Sequence, residues 1–263
     1  MGPGRGSDIV AGKIGELRRW AAERLRPRGA IRANTFLLPS ERAVELAGHA
    51  SGDLERLFYE TRGVVAHKWL HYLPIYQRYF EAYRGKPVRM LEIGVSLGGS
   101  LDMWRRYFGP EAVIFGIDID PACRGVVTAP NQVRIGSQAD PAFLDAVIAE
   151  MGQPDIILDD GSHVAEHQRI SFEALFPQLR DGGLYVIEDL HTAYWPEFDG
   201  GYRRPGTAIE LVKQMIDDMH GWYHDRPTRT EAQHNVGAVH VHDSLVVLEK
   251  QRRARPHHIV VGP

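Results

Sequence analysis

Short apolar runs alternate with stretches of helical periodicity over the middle of the chain. The runs cover 88–94, 113–118, 133–135, 154–160 and 183–189, and the periodic stretches between them cover 99–107, 141–151 and 165–179. Continuous apolar runs of this length suit strands buried on both faces, and helices between them imply βαβ units around a mostly parallel sheet. A further helix is predicted over 209–220. Segments 236–242 and 245–249, joined by Asp243-Ser244, read as a terminal antiparallel hairpin. Upstream, Ile9, Ile14, Leu17, Trp20 and Leu25 mark an amphipathic helix over 7–25, and 41–50 reads as a second, shorter one. Tyr72, Tyr76, Tyr79 and Tyr83 recur at helical spacing along one face. Such a stripe belongs to a core more often than to a binding box. The expected organisation is a helical arm over 1–55, either a lid or an oligomer contact, followed by an α/β domain over 56–263.

Composition narrows the function classes. The chain has 263 residues, 43% of them hydrophobic and 25% charged, with a formal net charge of −3. No basic excess points to nucleic acid or to an anionic membrane surface. Residues 1–28 have no apolar signal-peptide core, and no run of apolar residues is long enough to span a membrane, so a cytoplasmic location is expected. Cys123 is the single cysteine, which excludes an intrachain disulfide and a cysteine zinc site and leaves a passive thiol. Arginine supplies nearly all the positive charge. The histidines of the C-terminal third read as ordinary polar residues.

The first strand runs into Leu91-Glu92-Ile93-Gly94-Val95-Ser96-Leu97-Gly98-Gly99-Ser100, which opens a helix. Glycines there let the backbone turn sharply and approach a ligand, and the helix start offers free N–H groups. The spacing departs from the dinucleotide G-x-G-x-x-G pattern. E-x-G-x-x-x-G resembles motif I of class I methyltransferases, in which the loop wraps the methionine half of S-adenosylmethionine. Glu92, Gly94, Ser96, Gly98 and Ser100 are the candidate contacts. Asp118, at the end of the second strand, is placed to accept hydrogen bonds from the ribose hydroxyls, with Asp120 as its rival. After the third strand, Ser137 and Gln138 either border the adenine or simply cap the next helix. Asp159 joins the cofactor set.

Asp159-Asp160-Gly161-Ser162-His163 ends the fourth strand and Glu188-Asp189-Leu190-His191 ends the fifth. Ligands of α/β sheets bind beyond the carboxyl ends of parallel strands. Asp160, Glu188 and Asp189 should therefore converge, and oxygen ligands with no cysteine suit Mg²⁺ better than Zn²⁺. His163 stands beside them as a general base, with Asp160 as its catalytic partner and His191 as the second choice. Alternatively, Asp160 and Ser162 merely cap the next helix. The loop 192–204, with Tyr194, Trp195, Phe198 and Tyr202, is either an acceptor lid or a surface connection.

Together, Leu-Glu-Ile-Gly-Val…Gly-Gly-Ser, Gly-Ile-Asp, Asp-Asp-Gly-Ser-His and Ile-Glu-Asp-Leu-His resemble the macrocin/mycinamicin-type sugar O-methyltransferases. The cephalosporin hydroxylase proteins share much of this set. The resemblance runs from about Tyr59 to Lys250, and its specific part is the Asp-Gly-Ser-His and Glu-Asp pair. It implies a Rossmann-like class I methyltransferase sheet and S-adenosylmethionine and Mg²⁺ as cofactors. It also implies a deoxysugar hydroxyl of a natural product or nucleotide sugar as acceptor, and a homo-oligomer. Asp160, Glu188 and Asp189 would hold Mg²⁺ and His163 would be the base. Those macrolide enzymes can carry a larger N-terminal domain than these 55 residues, and 61–68 matches their Thr-Asp-Lys only loosely. A catechol-type O-methyltransferase, a cephalosporin-type tailoring protein and a non-catalytic binding protein are the competing functions.

Overall fold

The computed structural model describes residues 37–262, so the helix expected over 7–25 lies outside the described residues. Among the described residues three helices come first: α1 (Arg42–Gly48), α2 (Asp53–Tyr59) and α3 (Tyr72–Phe80). The alternating unit follows as β1 (Arg89–Ile93), α4 (Gly99–Phe108), β2 (Val113–Asp118), β3 (Gln132–Ile135), α5 (Pro141–Met151), β4 (Ile156–Asp159), α6 (Ala165–Leu175) and β5 (Leu184–Ile187). The chain closes with α7 (Ala208–Met219), α8 (Ala232–Asn235), β6 (Val236–His242) and β7 (Leu245–Lys250).

These strands form one seven-stranded sheet in the order β3-β2-β1-β4-β5-β7-β6. β1 to β5 are mutually parallel, and β7 and β6 add antiparallel at the end, as the hairpin reading required. This is a Rossmann-like arrangement, as the alternating pattern predicts. Every residue of β4 and β5 is buried, because helices cover both faces. One face is packed by α2, α3 and α4 through Leu54, Tyr76, Phe80 and Trp104. The other is packed by α5, α6 and α7 through Leu144, Phe172 and Met215.

Local chemistry explains most element boundaries. Asp140 accepts from the N–H groups of Ala142 and Phe143, and Pro141 follows it at the first turn, so α5 starts where a capped helix should. The helix expected over 165–179 stops at Leu175 and tightens into a 3₁₀ turn at Phe176–Gln178, because Pro177 has no N–H to continue the ladder. α2 was not anticipated. Its Leu54 and Tyr59 are buried in the core, so the boundary drawn at residue 55 falls inside an element of the folded body. Among the described residues, no helix is long and apolar enough to cross a membrane.

Register positions the site. β1 pairs with β2 on one side and β4 on the other, so the strand order reverses at β1 and a crevice opens at its carboxyl end. Ile93 lies opposite both Ile117 and Asp159, and Asp159 lies opposite Ile187. The next residues along these strands, Gly94, Asp118, Asp160 and Glu188, therefore emerge side by side.

Candidate active site

The glycine loop presses against the end of β4. Gly94 has φ +95°, and a Cβ there would lie 2.0 Å from the Asp160 carbonyl oxygen. Gly99 is equally confined: a Cβ would meet the Val65 carbonyl oxygen at 2.3 Å, where the segment leading to α3 crosses the loop. The N–H groups of Val95 and Ser96 both donate to Asp118 Oδ2 at 2.9 Å, and Asp120 N–H donates to Oδ1. Asp120 instead caps its own turn by accepting from Ala122 N–H at 2.8 Å. Asp118 thus shapes the loop, is half-buried, and has lone pairs left for ribose hydroxyls. Behind the loop, Ser100 Oγ donates to Glu92 Oε2 at 2.9 Å. Glu92 is fully buried, and burial pushes its carboxyl up to about 7 against the opposing pull of Lys68.

Two of the candidate cofactor residues, Asp159 and Gln138, are hydrogen-bonded to neighbouring side chains inside the protein. Asp159 is fully buried and accepts from Ser171 Oγ at 2.7 Å and Gln138 Nε2 at 3.2 Å, while Gln138 Oε1 accepts from Ser162 N–H at 2.6 Å. Alternation along β4 turns Asp159 toward the α6 layer. The Asp159 and Gln138 side chains hydrogen-bond to each other, and the pair braces the turn Gly161–Ser162 from beneath. Ser137 Oγ accepts from Ala139 N–H, which fits the helix-entry reading.

Beyond the turn, Asp160, His163 and Asp189 offer ligand atoms that all lie within 4.8 Å of one another. His163 Nε2 stands 3.8 Å from Asp160 Oδ1 and 3.7 Å from Asp189 Oδ2. His163 and Asp189 both adopt left-handed backbone, φ +57° and +53°. His and Asp tolerate that region better than most residues, and its appearance at both strand ends re-aims the two side chains toward each other. Burial alone would raise the Asp189 carboxyl, but His163, His191 and the Tyr72 hydroxyl hold it below the usual range. Tyr72 donates to Asp189 Oδ1 at 2.8 Å.

Glu188 stands outside this group of three. Its Oε1 accepts from Lys68 Nζ at 2.6 Å and from the Tyr76 hydroxyl. Burial, with Asp160 nearby, pushes the Glu188 carboxyl well above the usual range despite the opposing Lys68. Lys68 also donates to Asp160 Oδ2 and lies 3.6 Å from Glu92 Oε1. Burial would lower its ammonium, but Asp160, Glu188 and Glu92 together hold it well above the ordinary value.

Lys68, Tyr72 and Tyr76 were missed as site residues. The tyrosine rings do pack in the core, as their spacing indicated, yet two of the hydroxyls reach the carboxylates. A usable signal existed for Lys68, since it is one of few lysines in a chain that otherwise uses arginine. His191, the rival base, binds Ser244 Oγ through Nδ1, and burial lowers its pKa. Its ring meets Trp195 at 4.7 Å between centroids, and Phe198 stands edge-on to His163 at 6.0 Å. The aromatic loop therefore walls the site, while Tyr194 and Tyr202 are exposed.

The donor set fits a hard divalent cation. One ammonium, Lys68, meets the carboxylates of Glu92, Asp160 and Glu188, Asp189 stands beside them without an ammonium partner among the described residues, and the buried His163 Nδ1 has no partner. The close-packed glycine loop with Asp118 beside it fits a nucleoside-type cofactor.

No family model matches the chain. Curated relatives do. A tetracenomycin-C rhamnoside 3'-O-methyltransferase of Streptomyces olivaceus is 42% identical over 224 residues, which is 80% of this chain and 57% of that protein. Demethylmacrocin O-methyltransferase of Streptomyces fradiae is 40% identical over 84% of this chain and 60% of its own. The structure of the MycE methyltransferase of the mycinamycin pathway, in complex with Mg, SAH and mycinamycin VI, superposes with a TM-score of 0.67 at 35% identity. That match covers 86% of this chain and 66% of that one. The chain spans about three fifths of the length of the curated relatives it matches.

Proposed function

The chain is homologous to the sugar O-methyltransferases of antibiotic pathways, and we propose that it transfers the methyl group of S-adenosylmethionine to a sugar hydroxyl, with Mg²⁺ at the site. The acceptor in this reading is a deoxysugar on a glycosylated natural product or a nucleotide sugar. The observation that carries it is the convergence of Asp160, His163 and Asp189 directly beside the Gly94 turn. A homo-oligomer acting in the cytoplasm, without a nucleic-acid or membrane partner, completes the proposal.

When bound, S-adenosylmethionine supplies an electrophilic methyl group and Mg²⁺ supplies a Lewis acid that lowers the pKa of a coordinated hydroxyl. Gly94, Ser96, Gly98 and Asp118 hold and orient the former. Asp160 and Asp189 would hold the latter, with Glu188 beside them. His163 Nε2, aimed between Asp160 and Asp189, accepts the hydroxyl proton. Phe198 and Trp195 narrow the access of water. Positioning for in-line attack supplies the remainder, as it can contribute roughly 7–11 kcal/mol when the geometry is well set.

Calorimetric titration of S-adenosylhomocysteine with Mg²⁺ present tests the cofactor half of this reading. Micromolar binding is expected. Asp118→Ala should weaken it by about tenfold or more, since a charge-assisted hydrogen bond contributes about 1.5–3 kcal/mol. Gly94→Ala should weaken it at least as much, because the new Cβ must displace either the loop or the Asp160 carbonyl. No binding at millimolar ligand would sink the methyltransferase reading and leave the fold. A screen of glycosides for uptake of labelled methyl then identifies the acceptor.

A further inference from the structure

We propose that Lys68 is a built-in counter-ion of the proposed metal site, a positioning residue that holds Asp160 and Glu188 in place and weakens their grip on a divalent cation. The inference rests on the proposed Mg²⁺ reading but concerns a residue that reading does not use.

The geometry assigns Lys68 this role from several sides. Its side chain is 1% exposed, so the ammonium has no water to compensate it and depends on the three carboxylates around it. It shares Asp160 with the proposed ion: Oδ2 receives the ammonium, while Oδ1 faces His163 on the side where Asp189 stands. It engages Glu188 Oε1 at 2.6 Å together with the Tyr76 hydroxyl, so one Glu188 oxygen is committed to the protein. Its third neighbour, Glu92 Oε1, is buried and has no hydrogen-bond partner, and the ammonium 3.6 Å away is the cation that offsets its charge.

The backbone that delivers Lys68 also touches the cofactor loop. Val65 forms a parallel bridge with Gly98, and its carbonyl fills the space a Gly99 side chain would need. Lys68 therefore ties the glycine loop to the acidic cluster. A permanent positive charge that shares two of the ion's carboxylates must oppose a second positive charge there, since like charges a few ångströms apart repel strongly in a low-dielectric interior. The protein gains an acidic cluster that stays ordered without the metal, and in return binds the metal less tightly.

Mn²⁺ titration, followed by calorimetry and by the paramagnetic signal of free Mn²⁺, tests this on the full chain. Lys68→Met should bind Mn²⁺ about tenfold more tightly than the wild type, a difference of about 1.4 kcal/mol. Lys68→Arg, which keeps the charge, should stay within about threefold. A residue with a merely structural role would move the affinity the other way, because a disordered cluster binds metal worse. Should Lys68→Met not fold, Lys68→Gln keeps a hydrogen-bond donor without the charge and carries the same expectation. Mn²⁺ binding by Lys68→Met or Lys68→Gln that is unchanged or weaker, while the wild type binds, overturns the inference and leaves the metal reading intact. Absence of Mn²⁺ binding by the wild type overturns the metal reading and the inference with it.

Discussion

His163→Asn is expected to lower the rate of methyl transfer to a glycoside acceptor by about 10²–10⁴-fold, the range general-base catalysis usually contributes, while S-adenosylhomocysteine affinity stays within about threefold. The choice of asparagine follows from the backbone. His163 sits at φ +57°, where alanine is strained and asparagine is tolerated. Asparagine keeps a polar side chain between Asp160 and Asp189 but cannot take a proton. The cofactor loop contacts Asp160 through its carbonyl, and the His163 ring plays no part in that contact. The two readouts should therefore separate. Single-turnover transfer at saturating cofactor checks the first and calorimetry the second. Full activity in His163→Asn would move the base to His191, whose Nε2 is buried without a partner close by.

Which parts of this site could be read from the sequence follows from chain distance. Asp160, His163 and Asp189 were legible because each comes within four residues of the end of a strand, and strands β4 and β5 are buried on both faces and read as continuous apolar runs. Parallel neighbours in an α/β sheet bring such ends together without any knowledge of side-chain packing. The hairpin β6–β7 and helix α5 were legible for similarly local reasons, a two-residue turn and an Asp-Pro cap. Lys68 was not. Its partners lie 92 and 120 residues away, so its rarity in an arginine-rich chain singles it out without saying what it meets. Tyr76 reaches Glu188 across 112 residues, and Tyr72 meets the Ser244 turn across 172. Helical periodicity correctly placed their rings in the core, but a hydroxyl at the tip of a core ring leaves no periodic trace. Asp159 differs again: its place in the motif suggests a cofactor contact, while strand alternation buries its carboxylate against Ser171 and Gln138, which the motif alone does not reveal.

Asp160→Asn should cost Mn²⁺ affinity at least about 100-fold and reduce transfer to near background, the reverse of the effect expected at Lys68. Losing a supporting residue around a metal ligand already costs 10–100-fold in affinity or activity, and Asp160 is placed as a ligand itself. The substitution preserves shape, so the Gly94 turn still packs on the residue-160 carbonyl and the S-adenosylhomocysteine affinity should hold. It removes one negative charge from a cluster whose only ammonium, among the described residues, is Lys68. Glu188 and Glu92 remain to neutralise that ammonium. What is lost is the oxygen pair that Asp160 divides between Lys68 and the His163–Asp189 side. Calorimetric Mn²⁺ titration of Asp160→Asn beside Lys68→Met thus probes the two ends of a single ion pair. If both variants bound Mn²⁺ more weakly, Lys68 would serve only to keep the Asp160 cluster ordered, and Asp160 would stand as a ligand without a competing ammonium. Opposite signs require that the ammonium and the metal share the carboxylate.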